Sequence, residues 1–396
     1  MTPDQFVTVI RSHEKFVRGI AGGQRANLRG MNFSGLRLSN LNLQGAILAG
    51  ATFENCVIPG ANFKFADLFC ANFDNCDTTG SNFERADLRG ILMRRAKLRG
   101  CNFRESDFRP GAIKEDKNNP GVSDLSGANL DRAILEKAKM PDVNFSGASM
   151  REAKASWAVL TKANLRGVDL SGANLNGARL QEAKLVGADL TGASVRDALF
   201  RGADLRGAVV GDAEAARTGF RDARMVPGMV RLAREVQTAL RLHALWVDSE
   251  GTMGERGEFT GADLSGLDLT GAFLSGAMLR EARFEGTKLD QALLVMADLR
   301  SANLTKATMV SADLTAADFT GANLSGAVLR GAKFGKLPIR DGKGKETGQS
   351  RATTFTKAVL EGVDATETDI SGAVGLKVPA AREKEGHSPA NDDLDE

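Results

Sequence analysis

The sequence predicts an all-β solenoid, a four-sided coil that stacks on itself. Two observations predict it. From Ala163 to Leu190 every fifth residue is leucine (Leu165, Leu170, Leu175, Leu180, Leu185, Leu190), and the pattern recurs, with gaps, over most of the 396 residues. Five residues advance an α-helix by about 500°, so an apolar row would rotate by about 140° per step and never form one face. On a flat strand an odd period flips the row at every step. A chain with period five therefore turns a corner once per repeat. The second observation is the distribution of rings. Sorted by a step of 20 residues, the first block gives the columns Phe33, Phe53, Phe73, Met93 and Leu43, Phe63, Phe83, Phe103. The other two columns hold Leu, Ile and Thr, with Phe108 at the end of one. Rings on two opposite walls of a four-sided coil fill a narrow shaft, as close packing requires.

In chain order, residues 1–23 predict a capping helix over about 2–17. Thr2, Pro3, Asp4 and Gln5 make a capping box, and Phe6, Val9, Ile10, His13 and Val17 form one apolar face. A first repeat block follows over 24–113. Glycine recurs two residues after the central residue (Gly30, Gly35, Gly45), where a corner needs positive φ. A polar loop is expected over 114–124, then a second block over 125–226 in a new frame. Residues 227–257 form a helical insert or cap, with the helix expected from Met229 to Val247. The run Arg241 to Val247 aligns with Arg11 to Val17, and both helices precede a glycine-containing hook and a clean repeat. One module used twice is the reading, each helix lying across the raw end of a coil stack. A third block spans 258–334, a basic glycine-rich loop 335–352, degenerate repeats 353–376, and a polar tail 377–396 expected to be disordered.

Ala173-Asn174-Leu175-Asn176-Gly177, Ala188-Asp189-Leu190-Thr191-Gly192 and Ala302-Asn303-Leu304-Thr305-Lys306 resemble the pentapeptide-repeat family, whose repeat reads roughly Ala-(Asp/Asn)-Leu-x-x. The resemblance implies a right-handed quadrilateral parallel β-helix with four repeats per coil, with two short capping or linker helices here. It also implies a topoisomerase-modulating alternative, because some members mimic DNA and act on DNA gyrase.

Charge speaks against that alternative. The chain carries 52 basic and 50 acidic residues, net +2. No block is dominantly acidic: the first has 12 basic to 8 acidic residues between Arg25 and Arg109. A phosphate ladder is not mimicked by such a surface, and bulk nucleic-acid affinity does not follow from it either. No run of 18 apolar residues suggests a membrane span. A cytoplasmic, bacterial-type protein is expected.

No catalytic, metal-binding or cofactor-binding residues emerge. His13 and His243 occupy matching places without a ligand-spaced partner, and read as packing or capping groups. Cys56 and Cys76 stand one coil apart. A disulfide between them is geometrically conceivable, but small buried thiols fit a cytoplasmic chain better. Gly342 to Glu346 lacks the Walker spacing. The candidate interaction patch lies in the first block, at Phe65, Phe69, Arg85, Arg89, Arg94, Arg95 and Arg99. The two rings stand at outward positions, and from Glu84 to Arg109 there are eight basic and four acidic residues. Exposed rings beside arginine suit a protein partner, or an anionic surface, nucleic acid or lipid. Arginine stems covering the rings as ordinary surface packing would give the same pattern. The expected function is a non-enzymatic scaffold or protein-binding module, with self-association left open and nucleic acid the weaker partner.

Overall fold

A corner is built from five residues by one hydrogen bond and one left-handed residue. The N–H of the residue three after each central residue donates to the central carbonyl, as Met31 does to Leu28 (3.2 Å), Ala46 to Leu43 (3.0 Å) and Ala51 to Leu48 (2.9 Å). The residue between, two after the centre, has positive φ: +64° at Gly30 and +70° at Gly45. This is a type II turn, which explains the recurrent glycine. The Asn or Asp before the centre completes the unit. Its Oδ1 accepts the N–H two residues on, as in Asn32 with Ser34 (2.9 Å) and Asp189 with Thr191 (2.9 Å). Such side-chain turns favour Asn and Asp there.

The structure, a computed structural model, describes residues 3–38, 41–111, 121–210, 220, 222–225, 232, 234–340 and 345–376. The fold is a right-handed quadrilateral parallel β-helix. The chain divides into two compact units, Met1–Gly257 with Gly271–Leu274, and Glu258–Thr270 with Ser275–Glu396. The expected helix start at Met229, the loop residues 114–120, most of the 342–346 loop and the tail 377–396 lie outside the described residues.

In the first unit, parallel bridges climb in steps of 20: Asn27 to Ile47, Asp67, Asp87 and Asp107. The next step differs. Leu92 bridges Asp124 and Lys97 bridges Asn129, a difference of 32, after which steps of 20 resume. The new frame of the second block is thus a 12-residue insertion at one corner, and the ladder runs straight across it. The phenylalanine columns stack as the 20-residue step predicts. Phe33–Phe53, Phe53–Phe73, Phe63–Phe83 and Phe83–Phe103 have centroids 4.5–4.9 Å apart, and rings of opposite walls meet edge to face, as in Phe63–Phe73 at 5.6 Å. Each such buried ring contributes about 1.5–3 kcal/mol.

Helix α1 (Pro3–Val17) covers the first coil, with Phe6 5.5 Å from Phe33 and Val9 and Ile10 against the core. Helix α2 spans Arg234–Asp248. It rests along one corner of the second block, on the glycine column Gly167, Gly187, Gly207. A Cβ on Gly167 would come within 2.8 Å of Leu245, and one on Gly207 within 2.3 Å of Ala244. Arg241 donates to the Gly187 carbonyl (3.1 Å), and Arg166 pairs with Asp248. Only glycine lets a helix approach a corner this closely.

The twin hooks do match. His13 Nδ1 accepts the Ala26 N–H (3.1 Å) and His243 Nδ1 the Gly257 N–H (2.9 Å). His13 stacks on Phe16 and His243 on Trp246, at 5.9 and 5.8 Å. Gly23 and Gly254 press on helix backbone where a Cβ would fall 2.2 Å from Phe16 N and from Leu242 O.

In the second unit, Glu258, Met278, Asp298 and Asp318 bridge in steps of 20, then Asp318 bridges Thr354, a step of 36. The 16 extra residues are not the expected loop. Strands β1 (Lys336–Arg340) and β2 (Glu346–Thr354) pair antiparallel, with Leu337 opposite Arg351. Lysine and glycine content masked the strand signals Leu337, Ile339, Thr347, Thr353 and Thr354. A short β3 (Ala373–Val374) pairs parallel with β2 in the last coil.

Candidate interaction surface

A step of five residues turns the chain by one wall, so residues close in sequence leave one another quickly. The seven patch residues therefore fall on all four corners. Phe65 and Arg85 share one, since the Phe65 N–H donates to the Glu84 carbonyl (3.0 Å). Phe69 and Arg89 occupy the next, Arg94 and Arg95 the third, and Arg99 the fourth. The structure brings together two ring–arginine pairs and no common seven-residue face. Arg85 lies 5.2 Å from the Phe65 ring centroid, and Arg89 5.2 Å from that of Phe69.

The Phe69 corner packs against Gly111, at the start of the 12-residue insertion. The Gly111 N–H donates to Gly121 O (2.7 Å) and closes its neck. A Cβ on Gly111 would lie 2.5 Å from the Phe69 ring, and the Gly111 carbonyl is 3.3 Å from Cys70 Sγ. Gly111 thus covers part of Phe69 and Cys70.

Most of the arginines are neutralised. Arg89 forks Asp87 (2.8 and 2.7 Å), which raises its already high pKa. Arg94 pairs with Asp74, Arg85 with Glu105 (3.7 Å) and Arg104 with Glu136. Arg95 bonds Asn75 (3.0 Å). Arg99 lines a shallow groove of about 400 Å³ with Asn129, Asp131, Arg132, Arg151 and Glu152, whose own charges are paired as Arg132–Glu152 and Arg151–Asp131.

The residue that the patch missed is Trp157. It stands in the slot where a corner takes glycine, with φ +61°, and is 61 % exposed, the largest value among the exposed large apolar residues. Its corner is the one that carries Phe65, itself 43 % exposed. Ascending it, the left-handed slot holds Gly45, Phe65, Arg85, Glu105, Lys137, Trp157 and Gly177. The Lys137 N–H donates to Ser156 O and the Trp157 N–H to Asn176 O, which stacks these coils directly. The indole lies over Gly177, where an added Cβ would be 2.5 Å from the ring. One face of the ring is thus packed and the other open. A left-handed non-glycine residue costs about 1–2 kcal/mol, so a corner with five in succession is expensive for stability alone. The signal was readable: Trp157 and Phe65 are aromatic residues in the glycine slot of one column.

The buried titratable groups are built as packing. Burial lowers the pKa of both histidines, that of His243 to about 4, and leaves each ring neutral with Nδ1 accepting. Burial pushes the thiols of Cys56, Cys76 and Cys101 up, Cys101 to about 12. The Cys101 thiol donates to Thr78 O (3.0 Å). All four cysteines are reduced and buried. Among the described residues no group of three or more His, Cys, Asp or Glu is placed to hold a metal ion, and no helix is long and apolar enough to cross a membrane.

The profile described as "Pentapeptide repeats" matches in eight copies over residues 123–154, 156–192, 183–222, 258–294 and 297–335, and "Pentapeptide repeat region" matches 26–108. No curated protein matches the chain. Among solved structures, a trypsin-treated form of QnrB1, a plasmid-mediated fluoroquinolone resistance protein, is 22% identical, covers 51% of this chain and 87% of its own, and has a TM-score of 0.39. HetL from the cyanobacterium Nostoc sp. strain PCC 7120, a pentapeptide repeat protein involved in heterocyst differentiation regulation, is 17% identical over 91% of this chain and 93% of its own, TM-score 0.20. Rfr23 from the cyanobacterium Cyanothece 51142 is 21% identical over 51% and 98%, TM-score 0.15.

Proposed function

Because the chain belongs to the pentapeptide-repeat family, we propose that it is a non-enzymatic scaffold of the cytoplasm that binds a partner protein on the outer wall of its first unit. The observation that carries this reading is Trp157. A fold whose core already takes the rings inward spends one of its two tryptophans on the outside, in a backbone conformation that glycine would hold at lower cost. Exposed tryptophan on a rigid, preorganised wall is the pattern of a binding anchor. DNA mimicry is the weaker reading. The short carboxylate ladder Asp67, Asp87, Asp107 is matched by Arg29, Arg89 and Arg109 rather than left as a run of negative charge. The test is a photoreactive phenylalanine analogue in place of Trp157, irradiated in cells of the source organism. A discrete cross-linked protein supports the reading. Capture no greater than from the same analogue at Thr191, on another corner, refutes it.

A further inference from the structure

Around Trp157 the charge balance of the wall fails. Lys137 lies one coil below it in the same corner column. Lys139 and Arg179 bridge to Val159, one coil below and one above, on the adjoining wall. Lys154 stands on the other adjoining wall, in the same coil as Trp157. All four cations are exposed, and among the described residues none forms an ion pair. Lys139 is close enough to Asp107 to help lower its pKa, but that carboxylate is already forked by Arg109. This contrasts with the first block, where Arg85, Arg89, Arg94, Arg104 and Arg109 each have a carboxylate. Glu136, Glu152 and Glu182 nearby are occupied by Arg104, Arg132 and Lys162. The unmatched carboxylate of the Trp157 column, Asp197, is two coils above, about 10 Å along the stack. On the adjoining wall the column runs Lys139, Val159, Arg179, Leu199, so the half-buried Val159 beside the ring is flanked above and below by cations.

We propose that Lys137, Lys139, Lys154 and Arg179 surround Trp157 to dock an acidic segment of a partner protein, which sets an apolar side chain against the open face of the indole. The inference rests on the protein-binding reading above and names the partner's chemistry. Four cations without carboxylates, spread over three coils, leave a positive field that an acidic partner neutralises, and complementary charge selects partner and register. The anchor is a single ring with one face seated on Gly177. It offers one apolar contact, not the succession of stacking platforms that a nucleic-acid strand uses.

The test uses the full-length chain with Trp246→Phe, which leaves Trp157 the sole tryptophan. The probe is the peptide Glu-Asp-Glu-Asp-Leu-Phe-Asp-Glu-Asp-Glu. The comparison ligands are its lysine counterpart, a 12-mer of thymidine and phosphatidylserine vesicles. The expected result is a saturable blue shift of Trp157 emission with the acidic peptide, at least tenfold weaker when Leu-Phe becomes Ser-Ser. It is abolished by Lys137→Glu with Lys139→Glu, variants of exposed residues whose folding is checked by circular dichroism. Absence of a saturable shift overturns the proposal, as does tighter binding of the oligonucleotide or the vesicles, or indifference to the double charge reversal. Photo-capture at position 157 of a partner that does not bind through an acidic segment overturns this inference and leaves the protein-binding reading standing. Failure of capture removes both.

Discussion

Alanine at Gly207 should loosen α2 selectively. Gly207 and Gly192 both have φ +68° in the same kind of corner. A Cβ at Gly192 has no neighbour nearer than Gly172 N at 3.9 Å, whereas one at Gly207 would lie 2.3 Å from Ala244 Cβ. Either alanine costs about 1–2 kcal/mol for the left-handed backbone. Only Gly207→Ala adds overpacking, about 1–3 kcal/mol more. Hydrogen exchange read by mass spectrometry over residues 234–248 reports the difference directly. In Gly207→Ala, α2 should exchange roughly 5- to 150-fold faster than in Gly192→Ala, the rate equivalent of that added cost. The local readout is needed because repeat arrays do not always unfold in one step. Equal protection of α2 in the two variants would refute the reasoning, since the helix would then not depend on the glycine column.

The 20-residue coil predicts an asymmetry between deletions. Excising Leu299–Asp318 removes one coil and joins Asp298 to Phe319 in register, so the variant should fold, as judged by circular dichroism and a cooperative melt. Excising ten residues, 304–313, turns the following walls half a coil, moves Phe319 from above Leu299 to above Leu289 on the opposite wall, and should give an aggregating or molten product. Stability should fall with acid through the buried histidines. His243 has its pKa lowered to about 4, so its neutral form belongs to the folded state and the unfolded chain takes up the proton first. Stability is full above pH 6.5 and declines as pH falls toward 4, by about 2 kcal/mol at pH 5. Denaturation at pH 7 and pH 5 measures it, and His243→Gln should flatten the slope. Finally, the four cysteines should resist a thiol reagent in the native protein and react together on unfolding, because all are buried and burial holds the thiols of Cys56, Cys76 and Cys101 protonated.

The coil was legible because its cause is local. Each corner from Leu165 to Leu190 is one type II turn, braced by an Asx turn where Asn or Asp precedes the centre, as at Leu165, Leu170, Leu175 and Leu190, so this stretch carries the fold in a form that periodicity reads. The columns of Phe33, Phe53 and Phe73 gave the 20-residue step for the same reason. The surface was less legible because it is non-local. Arg94, Arg95 and Arg99 look like one basic cluster in sequence, yet each five-residue step moves a side chain to another wall. Partners 20 or 32 residues away, Asp74 for Arg94 and Glu136 for Arg104, neutralise what looked like free charge. Trp157 was hidden by being alone, although its slot marked it. The seat of α2 on Gly167, Gly187 and Gly207 was hidden because glycine in that slot is already required by the turn, and nothing in the pattern separates a corner glycine from one that also admits a helix.

If Trp157 is kept outside for a partner and not for the fold, its binding and its stabilising roles separate on substitution. Trp157→Gly restores the residue that the corner prefers and removes the ring. The two effects on stability oppose each other: about 1–2 kcal/mol regained from the backbone against the packing on Gly177 of an indole that is itself 61 % exposed. The expected result is a melting temperature close to the parent's together with loss of partner capture in a pull-down that uses the cross-linked protein as reference. A variant that unfolds readily while the little that remains folded still captures the partner would contradict it.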